Sequence, residues 1–394
     1  MAQGGGGRRR PKGLPRRIIF FHILPRLPVS SLQRCRSVCK GWHSFLKSRL
    51  FANLHNRHLT NGSVVQLRPK LLFLPREHPW SGFRIMDCEA PGDGSISQVR
   101  YPLPFVPANT YFIQALSSLH GLVCVCLHKK NQVTDLVIWN PLTGESKTLS
   151  KTNPCFNKLY FLHPMSLGLY YNAADDDYKL LVVSSYDLGV HIYSLKSDSW
   201  RNVDSTDNYQ TLSHFKPRRA EGWVLSNGTW SNGNLYFLYA RNKRPWSTDK
   251  KRRRQPSIIK FDAKIEKFTV IPTPPSLMDL DVTYSSMNVE GGIIHLGVKY
   301  ETSRYVYSTN ANIQMWRMIG DQGNWEKVGG QHKVDNLLEP LHWIGNKTWL
   351  MIKNGRDIYK VDHSKDKCIL RNYMPQTVRY TESFISLDRS ISMK

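Results

Sequence analysis

Residues 14–55, LPRRIIFFHILPRLPVSSLQRCRSVCKGWHSFLKSRLFANLH, decide the first part of the fold. Prolines divide this stretch, and its apolar residues recur in steps of three and four, which is helical periodicity. The pattern predicts a short helix from Arg16 to Leu24. It also predicts a second, single helix whose apolar face carries Leu32, Cys35, Val38, Cys39, Trp42, Phe45 and Leu46. So small a segment buries too little surface to be stable alone, and it therefore needs a partner.

Two local features refine this second helix. Ser30 and Gln33 have the spacing of a capping box, which predicts that the helix begins just after Pro28. Cys35 and Cys39 lie one helical turn apart, which is compatible with a metal pair. Unpaired cysteines are more often buried as small apolar residues, so the pair is predicted to pack in the core.

The charge of the chain is strongly positive and unevenly distributed. The net charge is +25 over 394 residues, and the first 76 residues contain sixteen Lys or Arg and no Asp or Glu. Such a segment attracts acidic surfaces, either nucleic acid or an acidic protein. The positive residues alternate with an apolar helical face rather than with exposed aromatic residues, so an acidic protein is favoured and nucleic acid is the less favoured partner. Residues 1–12 are predicted to be a disordered basic tail.

The cysteines and the apolar segments indicate the compartment. Seven cysteines, an odd number with no CxxC pair, favour neither a disulfide framework nor a metal site, so no cofactor or metal is expected. The run IIFFHIL at 18–24 is too short for a signal peptide, and no apolar stretch reaches the length of a membrane span. We therefore expect a cytoplasmic or nuclear protein, or one found in both compartments, without membrane contact.

A hairpin repeat organises the rest of the chain. An apolar, an aromatic or large, and a polar residue recur at 85–87, 138–140, 192–194, 260–262, 315–317 and 358–360, at intervals of 43 to 68 residues. Each interval has room for four short strands, so the repeat predicts an all-β propeller with six blades. The fold class is then α+β and multidomain, with a helical domain at 13–58 and the propeller at 59–390.

Three further expectations follow from the propeller. Trp200, Phe268 and Trp325 should begin return strands, and the polar stretches 204–219 and 241–256 should be insertions in the longest interval. A strand over 380–387 should close the ring, because propellers commonly pair both ends of the chain in one blade.

The N-terminal segment resembles the F-box, a helical domain of ubiquitin-ligase subunits. Leu-Pro at 14–15, the run 26–29, Val38-Cys39-Lys40, Trp42 and Phe51 follow the order of its consensus. Arg16 and Arg17 replace acidic residues of the first helix, and Pro25 also departs from the pattern. The resemblance implies docking on a Skp-type adaptor through residues Leu14, Pro15, Ile23, Leu24, Leu27, Pro28, Leu32, Val38, Cys39 and Trp42. Some of these residues instead hold the helices together, and the sequence does not separate the two roles.

The remainder resembles the F-box-associated domain of plant F-box proteins, a kelch-like propeller. The matches are at 118–124, at the Trp-Asn-Pro hairpin 137–144, at 176–180, at 190–195, at 261–268 and at 380–384. Together the two resemblances imply a non-catalytic, substrate-recognition subunit of a Skp–cullin–F-box ubiquitin ligase. Its propeller would bind a target protein of unknown identity. The alternatives are a basic nucleic-acid-binding propeller with a helical dimerisation arm, and an enzyme with a propeller active site, for which no catalytic motif is present.

Two charged runs have local explanations. Asp175, Asp176 and Asp177 lack the alternating ligands of a calcium loop, so a solvated turn before the strand 178–183 is predicted. The run containing Lys251, Arg252, Arg253 and Arg254 is either a solvated loop, a nuclear-import signal or a patch that binds an acidic target.

Overall fold

A computed structural model describes most of the chain, in two compact units. The described residues are 14–60, 70–75, 82–88, 96–99, 112–129, 132–149, 165–184, 188–203, 205–215, 223–241, 256–278, 280–290, 292–301, 310–320, 322–335, 338–343, 349–353, 357–361, 366–370 and 373–387. The first unit, here called the helical unit, contains 1–67 together with 382–394, and the second contains 68–381. The C-terminal segment is therefore grouped with the helices and not with the expected propeller range of 59–390.

The helical unit begins with one irregular helical stretch and continues with three α-helices. The order is α1 (Arg16–Ile18), a π-helical segment (Ile19–Ile23), a 3-10 turn (Leu24–Arg26), α2 (Val29–Cys35), α3 (Lys40–Lys47) and α4 (Arg49–Thr60). The predicted first helix is confirmed, and it continues through the 3-10 turn because proline is tolerated in a first helical turn. None of the described helices is long and apolar enough to cross a bilayer.

The prediction of a single second helix is wrong, because the helix breaks between α2 and α3. Cys39 is extended, with φ −162° and ψ 165°, and it precedes the first residue of α3. Ser37 and the β-branched Val38 favour helix weakly, so little opposes the break. The bend accompanies packing of Trp42 and Phe45 around Phe20, with ring centroids 6.3 Å and 4.6 Å from that of Phe20. Tertiary packing thus overrides an unbroken periodicity.

The predicted capping box is also wrong. Helix α2 begins at Val29 with Pro28 in the N-cap position, and no side chain caps it. Ser30 therefore lies inside the first turn, two residues after the N-cap position, and cannot cap the helix from there.

The second unit is an all-strand propeller with six blades in the described residues. Blade 1 contains β1 (Lys70–Pro75), β2 (Phe83–Asp87), β3 (Ile96–Val99) and, from the other end of the chain, β25 (Tyr373–Tyr380). Blade 2 contains β4 (Phe112–Leu119), β5 (Leu122–Lys129), β6 (Gln132–Trp139) and β7 (Ser146–Thr148). Blade 3 contains β8 (Met165–Asn172), β9 (Asp177–Ser184), β10 (Val190–Ser194) and β11 (Ser199–Asn202).

The other three blades follow the same order. Blade 4 contains β12 (Trp223–Leu225), β13 (Thr229–Ser231), β14 (Asn234–Arg241), β15 (Ser257–Asp262) and β16 (Lys267–Ile271). Blade 5 contains β17 (Asp281–Glu290), β18 (Ile293–Glu301), β19 (Asn310–Ile319) and β20 (Asn324–Asp335). Blade 6 contains β21 (Leu338–Trp343), β22 (Trp349–Lys353), β23 (Asp357–Val361) and β24 (Asp366–Leu370). A helix, α5 (Thr206–Ser213), lies within the predicted insertion at 204–219, and a 3-10 turn (Pro275–Leu277) follows blade 4.

The sequence repeat is confirmed, and it marks the same strand in every blade. The six hairpin positions fall in β2, β6, β10, β15, β19 and β23, each of which is the third strand of its sheet counted from the inner edge. Trp200, Phe268 and Trp325 lie at the starts of β11, β16 and β20, as predicted.

The ring closes by pairing the first and last strands of the propeller. In β25, Tyr380 pairs with Lys70 and Thr377 with Phe73 of β1. The predicted closing strand over 380–387 is wrong in its position, because β25 ends at Tyr380. Phe384 and Ile385 follow β25 outside any strand and are both buried, and the Ile385 amide donates to Ser383 Oγ at 3.3 Å.

The apolar core lies between neighbouring blades. Trp139 of blade 2 is buried and lies 5.3 Å from the ring of Phe83 in blade 1. On the inner strands, Ser117 Oγ accepts a bond from the Leu169 amide at 3.0 Å, and the Gly228 amide donates to the Leu167 carbonyl at 2.6 Å. The first bond joins β4 to β8, and the second joins the segment between β12 and β13 to β8. At Gly168 and Gly228, where these segments approach most closely, there is no room for a larger side chain.

Candidate functional site

The helical unit exposes an unusual amount of apolar surface. Leu14 and Val38 are each 61% exposed, and Leu50 is 47% exposed. Ile18 and Phe21 are also exposed, so five of the eleven large exposed apolar residues in the described chain lie within residues 14–60. Exposed apolar surface concentrated in one small unit is typical of a protein-interaction site.

The residues predicted to dock an adaptor divide into three groups by burial. The exposed ones are Leu14, Pro15, Pro28, Val38 and Cys39; the half-buried ones are Ile23, Leu27 and Trp42; the buried ones are Leu24 and Leu32. The buried pair belongs to the packing of the unit itself. The exposed and half-buried residues are available to a partner, and their adaptor contact stays a prediction. The prediction that Cys39 packs in the core is wrong, since the break before α3 turns it outward, whereas Cys35 is half-buried.

A row of aromatic rings forms the interior of the helical unit. Phe45 packs edge-on against Phe20 at 4.6 Å, Phe21 at 5.7 Å and Phe51 at 5.4 Å between ring centroids. The Phe51 ring then stacks on His55 at 5.6 Å. Periodicity placed Phe45 in the core, but it gave no indication that His55 belongs to the same row.

His55 connects this interior to the turn between the 3-10 segment and α2. The His55 side chain is fully buried, and its Nε2 lies 3.2 Å from the Leu27 carbonyl oxygen. Because a carbonyl only accepts, Nε2 carries the proton and donates it. The bond fixes the backbone at Leu27, immediately before the exposed Pro28.

Residues 14–60 of the helical unit carry charge of only one sign. Arg16, Arg17, Arg34, Lys40 and Lys47 are exposed, and no Asp or Glu occurs among residues 14–60. The exposed apolar side chains thus share residues 14–60 with cationic residues. Such a surface is complementary to a partner that combines apolar pockets with acidic residues.

The propeller places its short turns on one face. Because neighbouring strands run in opposite directions, the turns after the first and third strands of each blade lie on the same face of the propeller. The end of β14 and the start of β15, which flank 242–256, lie on the opposite face. The run containing Lys251, Arg252, Arg253 and Arg254 lies outside the described residues, as does the tail 1–12, and their roles stay predictions.

The predicted solvated turn at 175–177 is only partly correct. Asp175 and Asp176 are exposed in the turn between β8 and β9, but Asp177 is only 2% exposed. Its carboxylate accepts bonds from Ser194 Oγ at 2.5 Å and from the Lys196 amide at 2.9 Å. Asp177 therefore holds the turn between β10 and β11. Among the described residues, no group of three or more His, Cys, Asp or Glu is arranged to hold a metal ion.

A polar aromatic cluster lies on the propeller face that carries the turns after the first and third strands. His120, in the tight turn between β4 and β5, lies 3.1 Å from the Tyr178 hydroxyl through its Nδ1, and Tyr171 donates to Asp176 at 2.7 Å. Burial lowers the pKa of His120 to about 4, so the imidazole is neutral at physiological pH. The cluster supplies hydrogen-bonding groups without a net positive charge.

Family comparisons cover both units. The model of the F-box associated beta propeller domain matches residues 71–336, and that of the F-box domain matches residues 17–53. The first match spans more than half of the chain and includes blades 2 to 5 and most of blade 1.

Relatives that align over most of the chain occur in Arabidopsis thaliana. The F-box protein At2g07140 and the F-box/kelch-repeat protein At3g44120 are each 25% identical over 392 residues, covering 93% of this chain and 91% of the relative. Among solved structures, TolB from Acinetobacter baumannii aligns with a TM-score of 0.44 and 10% identity, covering 84% of this chain and 73% of that chain. This last similarity is too low to bear on function.

Proposed function

The chain belongs to the plant F-box proteins that carry an F-box-associated β-propeller, and from this we propose that it is the target-recognition subunit of a Skp–cullin–F-box ubiquitin ligase. The helical unit docks on the Skp-type adaptor, and through the adaptor the chain joins the cullin. The propeller binds the target protein. The subunit itself is non-catalytic and needs no cofactor.

One observation carries the proposal. Within the segment that matches the F-box, exposed or half-buried apolar side chains occur at Leu27, Pro28, Val38 and Trp42, and residues 14–60 around them include cationic residues and no acidic ones. A separate adaptor with apolar pockets and acidic residues complements this surface in apolar character and in charge.

The contribution to ubiquitination is then proximity. A target held on the propeller presents its lysines to the ubiquitin-loaded enzyme at the far end of the cullin, and the bimolecular transfer becomes effectively intramolecular. The proposed compartments are the cytoplasm, the nucleus or both, where such ligases find their targets.

Co-purification tests the proposal. The full chain, co-expressed with a Skp-type adaptor and a cullin, should elute with both in one complex. Replacing Leu27 and Pro28 together by Ala removes apolar contact worth about 2 to 4 kcal/mol at an interface centre, so adaptor binding should fall at least tenfold. Unchanged recovery of the adaptor, with propeller unfolding also unchanged, would contradict the proposal.

A further inference from the structure

The C-terminal segment 382–387 packs within the helical unit. Ser383, Phe384 and Ile385 are 2%, 3% and 5% exposed. The Phe384 ring lies edge-on to Phe51 at 5.8 Å and to His55 at 5.9 Å between centroids. A residue from the far end of the sequence thus adjoins two residues of α4.

The same two residues lead to the exposed turn at Pro28. Phe51 and His55 lie one helical turn apart on α4, and their rings are stacked with an interplanar angle of 23°. His55 Nε2–H donates to the Leu27 carbonyl at 3.2 Å. Phe384 therefore contacts the residue whose side chain fixes the backbone of that turn.

Removing Phe384 would open this arrangement to water. A hydrated His55 side chain would bond to solvent as well as to the Leu27 carbonyl, and the net advantage of the internal bond would shrink. The apolar face of α4 would also become exposed. The turn at Leu27 and Pro28 would then sample more conformations.

We propose that Phe384 is a positioning residue for adaptor docking: the C-terminal segment completes the helical unit and, through Phe51 and His55, holds the Leu27–Pro28 turn in its binding conformation. The inference rests on the proposed function. It implies that residues 14–60 without residues 382–387 form an incomplete docking unit.

The test compares full-chain variants in adaptor affinity and in hydrogen exchange. Phe384→Ala should weaken binding to a Skp-type adaptor at least tenfold and should speed amide exchange in α4, with exchange in β9 unchanged. Phe384→Leu keeps an apolar side chain and should stay within about threefold of the parent affinity. Phe215→Ala, which removes a half-buried ring from the second unit, is the matched control and should leave adaptor affinity unchanged.

Two readouts separate positioning from general destabilisation. The ¹⁵N shift of His55 Nε2 should move in Phe384→Ala, because it reports the bond to the Leu27 carbonyl. A peptide of residues 381–388, added to the full-length Phe384→Ala chain, should restore adaptor binding in a saturable manner. The same peptide with Ala in place of Phe384 should not restore it.

The outcomes are distinct from those of the proposed function. If the parent chain does not bind the adaptor, the proposed function fails. Unchanged amide exchange in α4 and an unchanged ¹⁵N shift of His55 Nε2 in Phe384→Ala would separately overturn the packing role of Phe384. If the parent binds and Phe384→Ala binds equally well with an unchanged ¹⁵N shift, the inference alone is overturned.

Discussion

Phe384, in the C-terminal segment, and Phe51, in α4, pack edge-to-face with ring centroids 5.8 Å apart. The two residues come from opposite ends of the sequence, yet both belong to the helical unit. A cut at a single point of the sequence therefore does not separate this unit from the propeller. Any truncation meant to isolate either part must account for 382–387.

Ring closure predicts different results for two truncations. A chain ended after Gln376 loses Thr377–Tyr380 and with them the pairing of β25 to residues 70–73. Since the exposed edge of β1 is then free to pair with another chain, this protein should aggregate or become protease-sensitive throughout. A chain ended after Thr381 keeps β25 and should retain the propeller. Limited proteolysis distinguishes the two, and equal resistance would contradict closure by β25.

Asp177 should matter for stability far more than its neighbour Asp176. Asp177→Ala leaves the Ser194 hydroxyl and the Lys196 amide without their carboxylate acceptor, so the free energy of unfolding should fall by about 2 to 3 kcal/mol. Asp176 is exposed with φ 47°, a conformation that Asn tolerates, so Asp176→Asn should change it by less than about 0.5 kcal/mol. Urea unfolding measures both, and equal effects would argue against the buried role of Asp177.

Glycine is required where the inner strands approach each other. A Cβ at Gly168 would lie 2.8 Å from Leu235, and one at Gly228 would lie 2.9 Å from the Phe237 ring and 3.2 Å from the Gly168 backbone. Gly228→Ala should therefore cost about 1 to 3 kcal/mol by overpacking. At Gly168 the neighbours are both methyl groups and the Cγ of Leu235, a side chain that can shift more readily than a ring or a backbone atom, so the cost should be smaller. Thermal unfolding of the two variants measures both losses of stability, and a larger loss for Gly168→Ala than for Gly228→Ala would contradict this packing.

The propeller should lose stability as the pH falls below neutrality. Burial, with the nearby Arg379 as a smaller cause, lowers the pKa of His342 to about 3. In the unfolded state this histidine has an ordinary pKa of about 6.5, so between pH 6.5 and pH 3 the unfolded state binds a proton and the folded state does not. The free energy of unfolding is therefore highest above pH 6.5 and falls as the pH drops toward 3.

A His342→Gln variant tests this source of the pH dependence. His342 Nε2 lies 3.3 Å from Thr377 Oγ1, and a glutamine amide offers a polar group near the same position. Between pH 7 and pH 4.5 the parent should lose up to about 2 kcal/mol more stability than the variant. Parallel curves of unfolding free energy against pH would show that His342 is not responsible.

The sequence predicted the propeller well because each blade repeats a local pattern. The third strands bury large side chains at corresponding positions near their C-terminal ends, namely Trp139, Tyr193 and Phe261, and turn residues follow them directly. Such features depend on neighbours within a few residues. They are therefore visible in the sequence without knowledge of the fold.

The features that the sequence did not predict depend on distant contacts. Nothing in the periodicity from Leu32 to Leu46 marks the break at Cys39, because the apolar spacing continues through it. The burial of Asp177 depends on Ser194, in the next hairpin, and that of Phe384 involves α4 at the other end of the chain. For the docking surface, the sequence supplied the residues, but only the structure separated exposed Val38 from buried Leu32.

Calorimetric titration of the full chain with a purified Skp-type adaptor tests the central claim most directly. We expect saturable one-to-one binding that weakens with added salt, because the docking surface is cationic. Val38→Asp, at an exposed apolar position of the helical unit, should reduce the affinity at least tenfold, whereas Val270→Asp, at a comparably exposed position of the propeller, should not change it. Absence of binding by the parent chain, or equal binding by the two variants, would contradict the account.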